Sequence, residues 1–110
     1  MIKGIGIDII EIKRIESAAN RTPAFLRRVF TEGELAYFAL RGNSVQTIAG
    51  CFAAKEAAVK AAGGGYITEV ELSWDERGKP SLKFNGYEDA VFFVTISHSR
   101  DYAVANVIMC

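Results

Sequence analysis

The segment from Val45 to Ala62 constrains the fold most, because it is the longest uninterrupted helical pattern in the chain. Ser44 is suited to cap its first turn, and the run Gly63-Gly64-Gly65 ends it. The pattern therefore predicts a long helix packed on the core, with Lys55 and Glu56 at the two margins of its apolar face. At ~100° per residue, the large apolar side chains that share this face are Val45, Ile48, Phe52 and Val59.

A second constraint comes from the N-terminus, where Gly4 to Ile10 predicts a buried strand that carries Asp8. A buried, ionised carboxylate is costly unless it is paired or bound to a metal. Asp8 either caps the following helix together with Glu11 or binds a cation. Glu56 lies at the edge of a core-facing helix, so it can reach a strand packed against that helix. We therefore expect that Asp8 and Glu56 can share a cation.

The remaining patterns predict an α+β fold, with a small antiparallel sheet packed against helices in a single domain, residues 1–110. Helices are expected from Ile12, from Thr22-Pro23 and, after a capping box that begins at Thr31, through Leu40. Turn signals separate the later strands, which are expected at Val70–Trp74, Leu82–Phe84, Val91–Ser97 and Tyr102–Met109.

Charge and composition exclude several classes of protein. The formal net charge is zero, so nothing global favours nucleic acid or a membrane as a partner. No apolar run reaches transmembrane length, and the two cysteines fit no disulfide or metal framework, so a soluble cytoplasmic protein is expected. The charge is uneven, however: Lys13 to Arg28 contains five cations and one anion. This segment is either a basic docking patch or a solvated helix face.

The candidate site residues suit phosphate chemistry, although each also has a purely structural interpretation. Two carboxylates with open coordination positions suit Mg²⁺, whose remaining ligands are waters and substrate phosphate oxygens. Lys60 can neutralise phosphate or pair with Glu56 one turn earlier. The glycine run can admit a phosphate to the backbone or simply end the helix. His98, the only histidine, can contact a ligand or pack in a turn.

Four segments in order resemble the holo-[acyl-carrier-protein] synthase family along nearly the full chain: GIGIDIIEIKRIE, FAAKEAAVKA, RGKP and ISHSRDYAVA. The resemblance implies a 4′-phosphopantetheinyl transferase of fatty acid biosynthesis. Such an enzyme uses Mg²⁺ to move phosphopantetheine from coenzyme A to a serine of acyl carrier protein, and it releases adenosine 3′,5′-bisphosphate. It also implies a homotrimer with active sites between subunits.

The resemblance assigns roles to individual residues. Asp8 and Glu56 fall on the metal carboxylates, and Lys60 on the lysine that stabilises the diphosphate, so these three form the implied catalytic set. The general base is Glu56 or a metal-held water. The implied coenzyme A contacts are Lys55, Lys60, Gly63, Gly64, Gly65 and His98. The implied carrier-protein contacts are Arg14, Arg21, Phe25 and Arg28.

The sequence departs from the family pattern at two places. Cys51 stands where the family usually has Arg, and Gly63-Gly64-Gly65-Tyr66 replaces a Gly-Thr-Gly pattern in a segment that is shortened before Val70. Two alternatives therefore stay open: a non-catalytic homologue that binds carrier protein or coenzyme A, and a Mg²⁺-dependent phosphate-ester enzyme that uses another nucleotide.

Overall fold

The chain begins with a strand, continues through four helices and ends with four further strands. A computed structural model describes all 110 residues. In chain order the elements are β1 (Gly4–Glu11), α1 (Ile12–Arg21), α2 (Phe25–Val29), α3 (Glu32–Leu40), α4 (Val45–Ala62), a 3₁₀ turn (Ile67–Glu69), β2 (Val70–Trp74), β3 (Pro80–Phe84), β4 (Phe92–His98) and β5 (Tyr102–Met109). The predicted α+β class is confirmed.

The strands form two antiparallel sheets, where the sequence predicted one. A three-stranded sheet has the order β1-β5-β4, and β2 and β3 form a separate hairpin. The segment between β3 and β4 is too long for a tight turn, and β4 pairs with β5 instead. Val91 and Cys110 close that pairing with two backbone hydrogen bonds, at 2.9 and 2.8 Å.

β1 is buried on one face only, which corrects the prediction of a fully buried strand. Gly6 is buried, whereas Ile5, Ile7 and Ile9 are 63%, 60% and 65% exposed. Ile5 lies in register with Ile108 and, one strand further, with Phe93. We call this exposed apolar side of the sheet the outer face, and the side that carries Gly6 the inner face.

The inner face is covered by α4, whose contact surface is made of small residues. Ala53, Ala54, Ala57 and Ala58 are all 0% exposed. The predicted contact face of larger residues is wrong, since only Ile48 of that set is fully buried. Small side chains let the helix lie closer to the sheet than the larger ones would.

The helix ends follow the sequence closely, with one exception. Ser44 accepts a hydrogen bond from the Thr47 amide at 3.4 Å, and Gly63 ends α4 in the left-handed conformation with φ of 75°. The Thr31–Glu34 capping box opens α3. The second helix, however, begins at Phe25 rather than at Pro23. None of the helices combines the length and the apolar character that a bilayer crossing requires.

Candidate active site

Glycines in β1 bring the backbone of α4 unusually close to the strand that carries Asp8. A Cβ atom on Gly6 would lie 1.9 Å from the Ala57 carbonyl oxygen, and one on Gly4 would lie 1.9 Å from that of Ala61. Only glycine fits at both positions. Asp8 follows on the same face of the strand, so its carboxylate is held beside the last turns of α4.

Asp8 is paired with Lys60. The Lys60 Nζ lies 3.1 Å from Asp8 Oδ1 and 3.0 Å from the Ile7 carbonyl oxygen, to which it donates a hydrogen bond. The alternative interpretation of Asp8 as a helix cap is wrong. Glu11 occupies the N-cap position of α1, and no side chain makes a capping hydrogen bond at this end of the helix. The Asp8 side chain is only 16% exposed, so a cationic partner offsets the cost of its burial.

Glu56 lies close enough to Asp8 for the negative charge of Asp8 to affect its pKa. Partial burial raises the pKa of the Glu56 carboxyl group, the negative charge of Asp8 raises it further, and Lys60 lowers it. The alternative Glu56–Lys60 helix pair is not formed, because the two ion pairs in the structure are Lys60–Asp8 and Lys55–Glu34. Strand and helix thus bring together the three residues that the sequence grouped: Asp8, Glu56 and Lys60.

The chemistry of this donor set fits a magnesium ion. Two carboxylates with mutual repulsion gain from a cation between them, and hard oxygen ligands suit Mg²⁺. No group of three or more His, Cys, Asp or Glu side chains is placed to hold a metal. Asp8 and Glu56 would therefore leave most coordination positions to waters and to oxygens of a substrate.

Lys55 does not belong to this site, and the prediction that it faces a phosphate is wrong. Its side chain is 0% exposed and lies 2.7 Å from the carboxylate of Glu34, which is also 0% exposed. Lys55 also donates a hydrogen bond to the Val70 carbonyl oxygen. Adjacent residues on a helix point ~100° apart, and here the margin that carries Lys55 faces the protein interior.

Cys51 lies beside the same ion pair. Its side chain is 1% exposed. Burial raises the pKa of the Cys51 thiol, and the negative charge of Glu34 raises it further. Cys51 is therefore a core residue, and its thiol offers no surface to a nucleotide.

The glycine loop is shaped by its neighbours as well as by the helix that it ends. Gly65 has a φ of 86°, and a Cβ atom there would lie 2.7 Å from the Phe84 ring. A Cβ atom on Gly64 would lie 3.3 Å from the Tyr87 hydroxyl oxygen. The loop is thus packed over the end of β3, and the backbone of Gly63 and Gly65 stays exposed.

His98 is exposed at the end of β4 and lines a small cavity of about 160 Å³. His98 of β4 pairs with Ala103 of β5, and Ala103 pairs in turn with Ile10 of β1. Ile10 is two residues from Asp8 and lies on the same face of the sheet. Two strand spacings, ~10 Å, separate the backbones of β4 and β1 at this level. His98 and the carboxylates therefore lie on the same face of the sheet, on either side of the buried Ala103.

The sequence-based site missed the other walls of the His98 cavity. Trp74 lies at the end of β2, and Gly78 and Pro80 belong to the RGKP turn; Gln46, Thr47 and Gly50 of α4 complete the lining apart from Ile96. The RGKP motif was the available signal for this wall, because a family motif that lies in a turn is expected to contact a ligand or another part of the site. Periodicity could not show that the turn folds back toward His98.

The predicted carrier-protein residues lie on the first two helices. Arg14 and Arg21, two turns apart on α1, line one exposed concave surface together with Lys13. Arg28 is exposed on α2. Phe25 is half-buried and its ring lies 6.4 Å from that of Phe52, so it is partly engaged with the core.

Comparison with known proteins agrees with this arrangement. A sequence model of the 4′-phosphopantetheinyl transferase superfamily matches residues 4–107. The holo-[acyl-carrier-protein] synthase of Clostridium tetani is 47% identical over 117 aligned residues, which cover 96% of this chain and 93% of that protein. The one from Halalkalibacterium halodurans is 47% identical over 116, covering 99% and 96%. A solved structure of the Bacillus anthracis synthase, in complex with CoA (3′,5′-ADP), matches with a TM-score of 0.85 at 39% identity and covers 99% of this chain and 96% of that one.

The fold and the site define a small α+β transferase in which one helix crosses the inner face of a three-stranded sheet. The chain belongs to the 4′-phosphopantetheinyl transferase superfamily. Within this superfamily, the chain is an enzyme of the holo-[acyl-carrier-protein] synthase type, because relatives with that name match it at 47% identity over nearly their full length. The resemblance drawn from the four sequence motifs is confirmed.

Proposed function

We propose that this enzyme transfers 4′-phosphopantetheine from coenzyme A to a serine of acyl carrier protein in a Mg²⁺-dependent reaction. The observation that carries the proposal is the meeting of Asp8, Glu56 and Lys60 at the contact between β1 and α4. The solved Bacillus anthracis relative, whose structure contains CoA (3′,5′-ADP), supports the choice of co-substrate. Residues 1–110 act as one catalytic domain, in the cytoplasm and in fatty acid biosynthesis.

Asp8 and Glu56 would hold the metal ion. When bound, Mg²⁺ supplies Lewis-acid polarisation of the coenzyme A diphosphate and orients it. The serine hydroxyl oxygen attacks the β-phosphorus, and the bond from this phosphorus to the bridging oxygen breaks. Adenosine 3′,5′-bisphosphate leaves with that oxygen. Lys60 offsets the negative charge that develops on the leaving phosphate.

The serine proton needs an acceptor near the metal carboxylates. Glu56 suits this role because its pKa is raised, which makes its carboxylate a stronger base than an exposed glutamate. Lys60 is close enough to both carboxylates to keep Glu56 available in its ionised form. After transfer, the proton passes from Glu56 to solvent.

The nucleotide would bind with its diphosphate at the carboxylates, and the cavity at His98 would receive another part of coenzyme A, from the same site or from a neighbouring subunit's site in the proposed trimer. His98 is exposed, and the cavity beside it has an aromatic wall in Trp74. The backbone of Gly63, Gly64 and Gly65 remains a candidate phosphate contact. His98 would contact a phosphate of coenzyme A.

Acyl carrier protein would dock on the basic surface of α1 and α2. Arg14 and Arg21 share one face, and Arg28 extends it onto the next helix. An acidic partner helix complements such a surface electrostatically. Phe25 adds apolar contact at its margin.

The outer face of the sheet supports a homotrimer. Ile5, Ile7, Ile9 and Phe93 are 63%, 60%, 65% and 58% exposed, which leaves an apolar surface uncovered on an isolated chain. Monomers rarely expose a contiguous apolar patch of this kind. In the proposed trimer this face packs against other copies, and each active site lies near a subunit boundary.

The decisive experiment is mass spectrometry of an apo acyl carrier protein incubated with the enzyme, coenzyme A and Mg²⁺. A mass gain of one phosphopantetheine that disappears with EDTA and with the folded variant Asp8→Ala is the expected result. No gain across several carrier proteins would overturn the proposal and favour a non-catalytic homologue. Cleavage of coenzyme A without any carrier protein would favour the phosphate-ester enzyme instead.

A further inference from the structure

Glu34 and Lys55 are the two charged residues that the fold buries completely, and the reaction outlined above uses neither. The Lys55 Nζ lies 2.7 Å from Glu34 Oε1 and 5.6 Å from the centre of the Phe30 ring. It also donates to the carbonyl oxygen of Val70 in β2. One side chain of α4 is thus fixed by Glu34 of α3, by Val70 of β2 and by Phe30, which follows α2.

The partners of Lys55 are themselves fully engaged. The Glu34 Oε1 atom also accepts the Thr31 amide at 2.9 Å, and Oε2 accepts the amide of Leu72 at 2.7 Å. No buried side-chain nitrogen or oxygen lacks a hydrogen-bond partner. A buried ion pair is often no more stabilising than apolar residues of similar volume. What it adds is direction, because each of these bonds restricts the angle as well as the distance.

Direction matters here because the only other ion pair of α4, from Lys60 to Asp8, involves a side chain that is 54% exposed, and the buried surface of the helix adds little direction. The buried surface of this helix is built mainly from alanines, together with Gly50. Contact between small apolar groups is not directional, so these residues restrain rotation of the helix about its axis less than large interlocking side chains would. Lys55 restrains that rotation from the side opposite β1.

We propose that Lys55 is a positioning residue whose buried pair with Glu34 fixes the rotation of α4, so that Glu56 faces Asp8. Glu56 follows Lys55 in the chain and points ~100° around the helix. A rotation of ~20° would move a carboxylate that lies ~6 Å from the axis by ~2 Å. That displacement is about one Mg–O bond length, and Mg²⁺ tolerates little departure from octahedral geometry. The inference rests on the proposed metal site.

The test removes both charges together, since removing one would leave the other buried and unpaired. The variant is Glu34→Gln/Lys55→Met, and the readout is Mn²⁺ affinity by electron paramagnetic resonance at saturating coenzyme A. Its affinity for Mn²⁺ should fall at least tenfold, its KM for Mg²⁺ should rise in parallel, and its KM for carrier protein should stay unchanged. The matched control is Val94→Ala, which removes buried volume from β4, a strand that contributes no partner to the ion pair. It should bind Mn²⁺ within twofold of the parent enzyme.

Each outcome decides the inference. If the double variant folds and binds Mn²⁺ within twofold of the parent, the pair has no positioning role, while the proposed function stands. If the parent enzyme binds no Mn²⁺, the metal site and this inference both fall. If the double variant does not fold, the single variant Glu34→Asp decides, because it keeps both charges and both acceptor oxygens and changes only where the carboxylate lies. An affinity at least threefold weaker supports positioning, and an unchanged affinity overturns it.

Discussion

At Glu56, burial and the neighbouring charge of Asp8 raise the pKa of the same carboxyl group. A raised pKa in the folded chain means that ionisation favours the unfolded state. The stability that this group contributes is fully present below its ordinary pKa of 4.5 and is lost as the pH rises through the higher value in the folded state. The candidate site therefore costs stability at neutral pH.

The substitution Glu56→Gln should remove this cost. In urea unfolding without divalent metal, the variant should be more stable than the parent at pH 7, and the difference should shrink toward zero near pH 4, where both side chains are neutral. The same substitution at exposed Glu16 of α1 serves as the matched control. A Glu56→Gln chain that is less stable than the parent at pH 7 would contradict the described environment of this residue.

Asp8, Glu56 and Lys55 also differ in how well the sequence predicted their positions. The alternation along β1 and the position of Glu56 at a margin of α4 predicted that Asp8 and Glu56 can share a cation, and the structure brings the two residues together, although the apolar face used to define that margin was wrong. Lys55 was misassigned because both margins of the helix look alike in sequence. Only the fold shows that one margin faces Glu34 and the other faces Asp8.

At the scale of elements, the contact of β1 with α4 depends on the absence of side chains. The predicted face of α4 was wrong because large apolar residues dominate a periodicity argument, whereas the helix packs through alanines onto Gly4 and Gly6. The two halves of this contact are far apart in the sequence, and neither pattern alone predicts the close approach. The division into two sheets was missed for a similar reason, because the residue pattern of a strand does not show which other strand it pairs with.

Gly6→Ala should disrupt this contact. The added Cβ would lie 1.9 Å from the Ala57 carbonyl oxygen and 2.7 Å from the Ala61 amide nitrogen, and backbone atoms cannot move aside cheaply. We expect a loss of ~3 kcal/mol or more in the free energy of unfolding, at the upper end of overpacking costs. Urea denaturation measures this loss.

Gly33→Ala in α3 is the matched control for that substitution. A Cβ atom there would lie 3.9 Å from the Thr31 hydroxyl oxygen, an ordinary contact, and 3.3 Å from the carboxylate of Glu71. This side chain is flexible, and alanine is the better helix former by up to ~1 kcal/mol. Equal destabilisation by the two substitutions would contradict the close packing assigned to β1 and α4.

The first helix carries the charge that the carrier protein would recognise. Arg14→Glu reverses a charge on the surface that Arg14 and Arg21 share, so it should raise the KM for carrier protein about tenfold, mainly through slower association. The KM for coenzyme A should not change. Steady-state kinetics at low and high salt test this, because screening should reduce the defect.

Lys83→Glu on β3 has the same charge change at an exposed position away from α1 and serves as the control. It should leave both KM values near those of the parent. An Arg14→Glu enzyme with an unchanged KM for carrier protein would remove α1 from the proposed docking surface.

At the scale of the whole molecule, the outer face of the sheet is the largest feature that an isolated chain leaves unexplained. The sequence predicted an oligomer through its resemblance and its small core, but it did not predict this face, because β1 reads as a buried strand. Alternation of glycine and isoleucine gives two different faces that are both compatible with burial. The two faces differ in what covers them: α4 of the same chain covers one, and another copy covers the other in the proposed trimer. The pattern of residues within one chain does not show this difference.

Phe93→Lys should therefore prevent the proposed trimer. The side chain is 58% exposed at one end of a row that continues through Ile108 to Ile5, and a charge there would be buried on assembly. Light scattering after size-exclusion chromatography should report a monomer, with little transferase activity. Leu40→Lys, at an 84% exposed apolar position on α3, should keep the mass of the parent assembly. A trimeric Phe93→Lys protein would exclude the outer face as the interface.

β1 carries Asp8 toward α4 and its isoleucines in the opposite direction, so its two faces are interleaved residue by residue. This arrangement makes the strand more sensitive to insertions and deletions than to most substitutions. Loss of one residue between Gly6 and Asp8 would turn the carboxylate toward the outer face and drive an isoleucine toward the helix. Length variation among related chains should therefore concentrate in the loops, as in the short segment before Val70, while the spacing from Gly4 to Asp8 stays fixed.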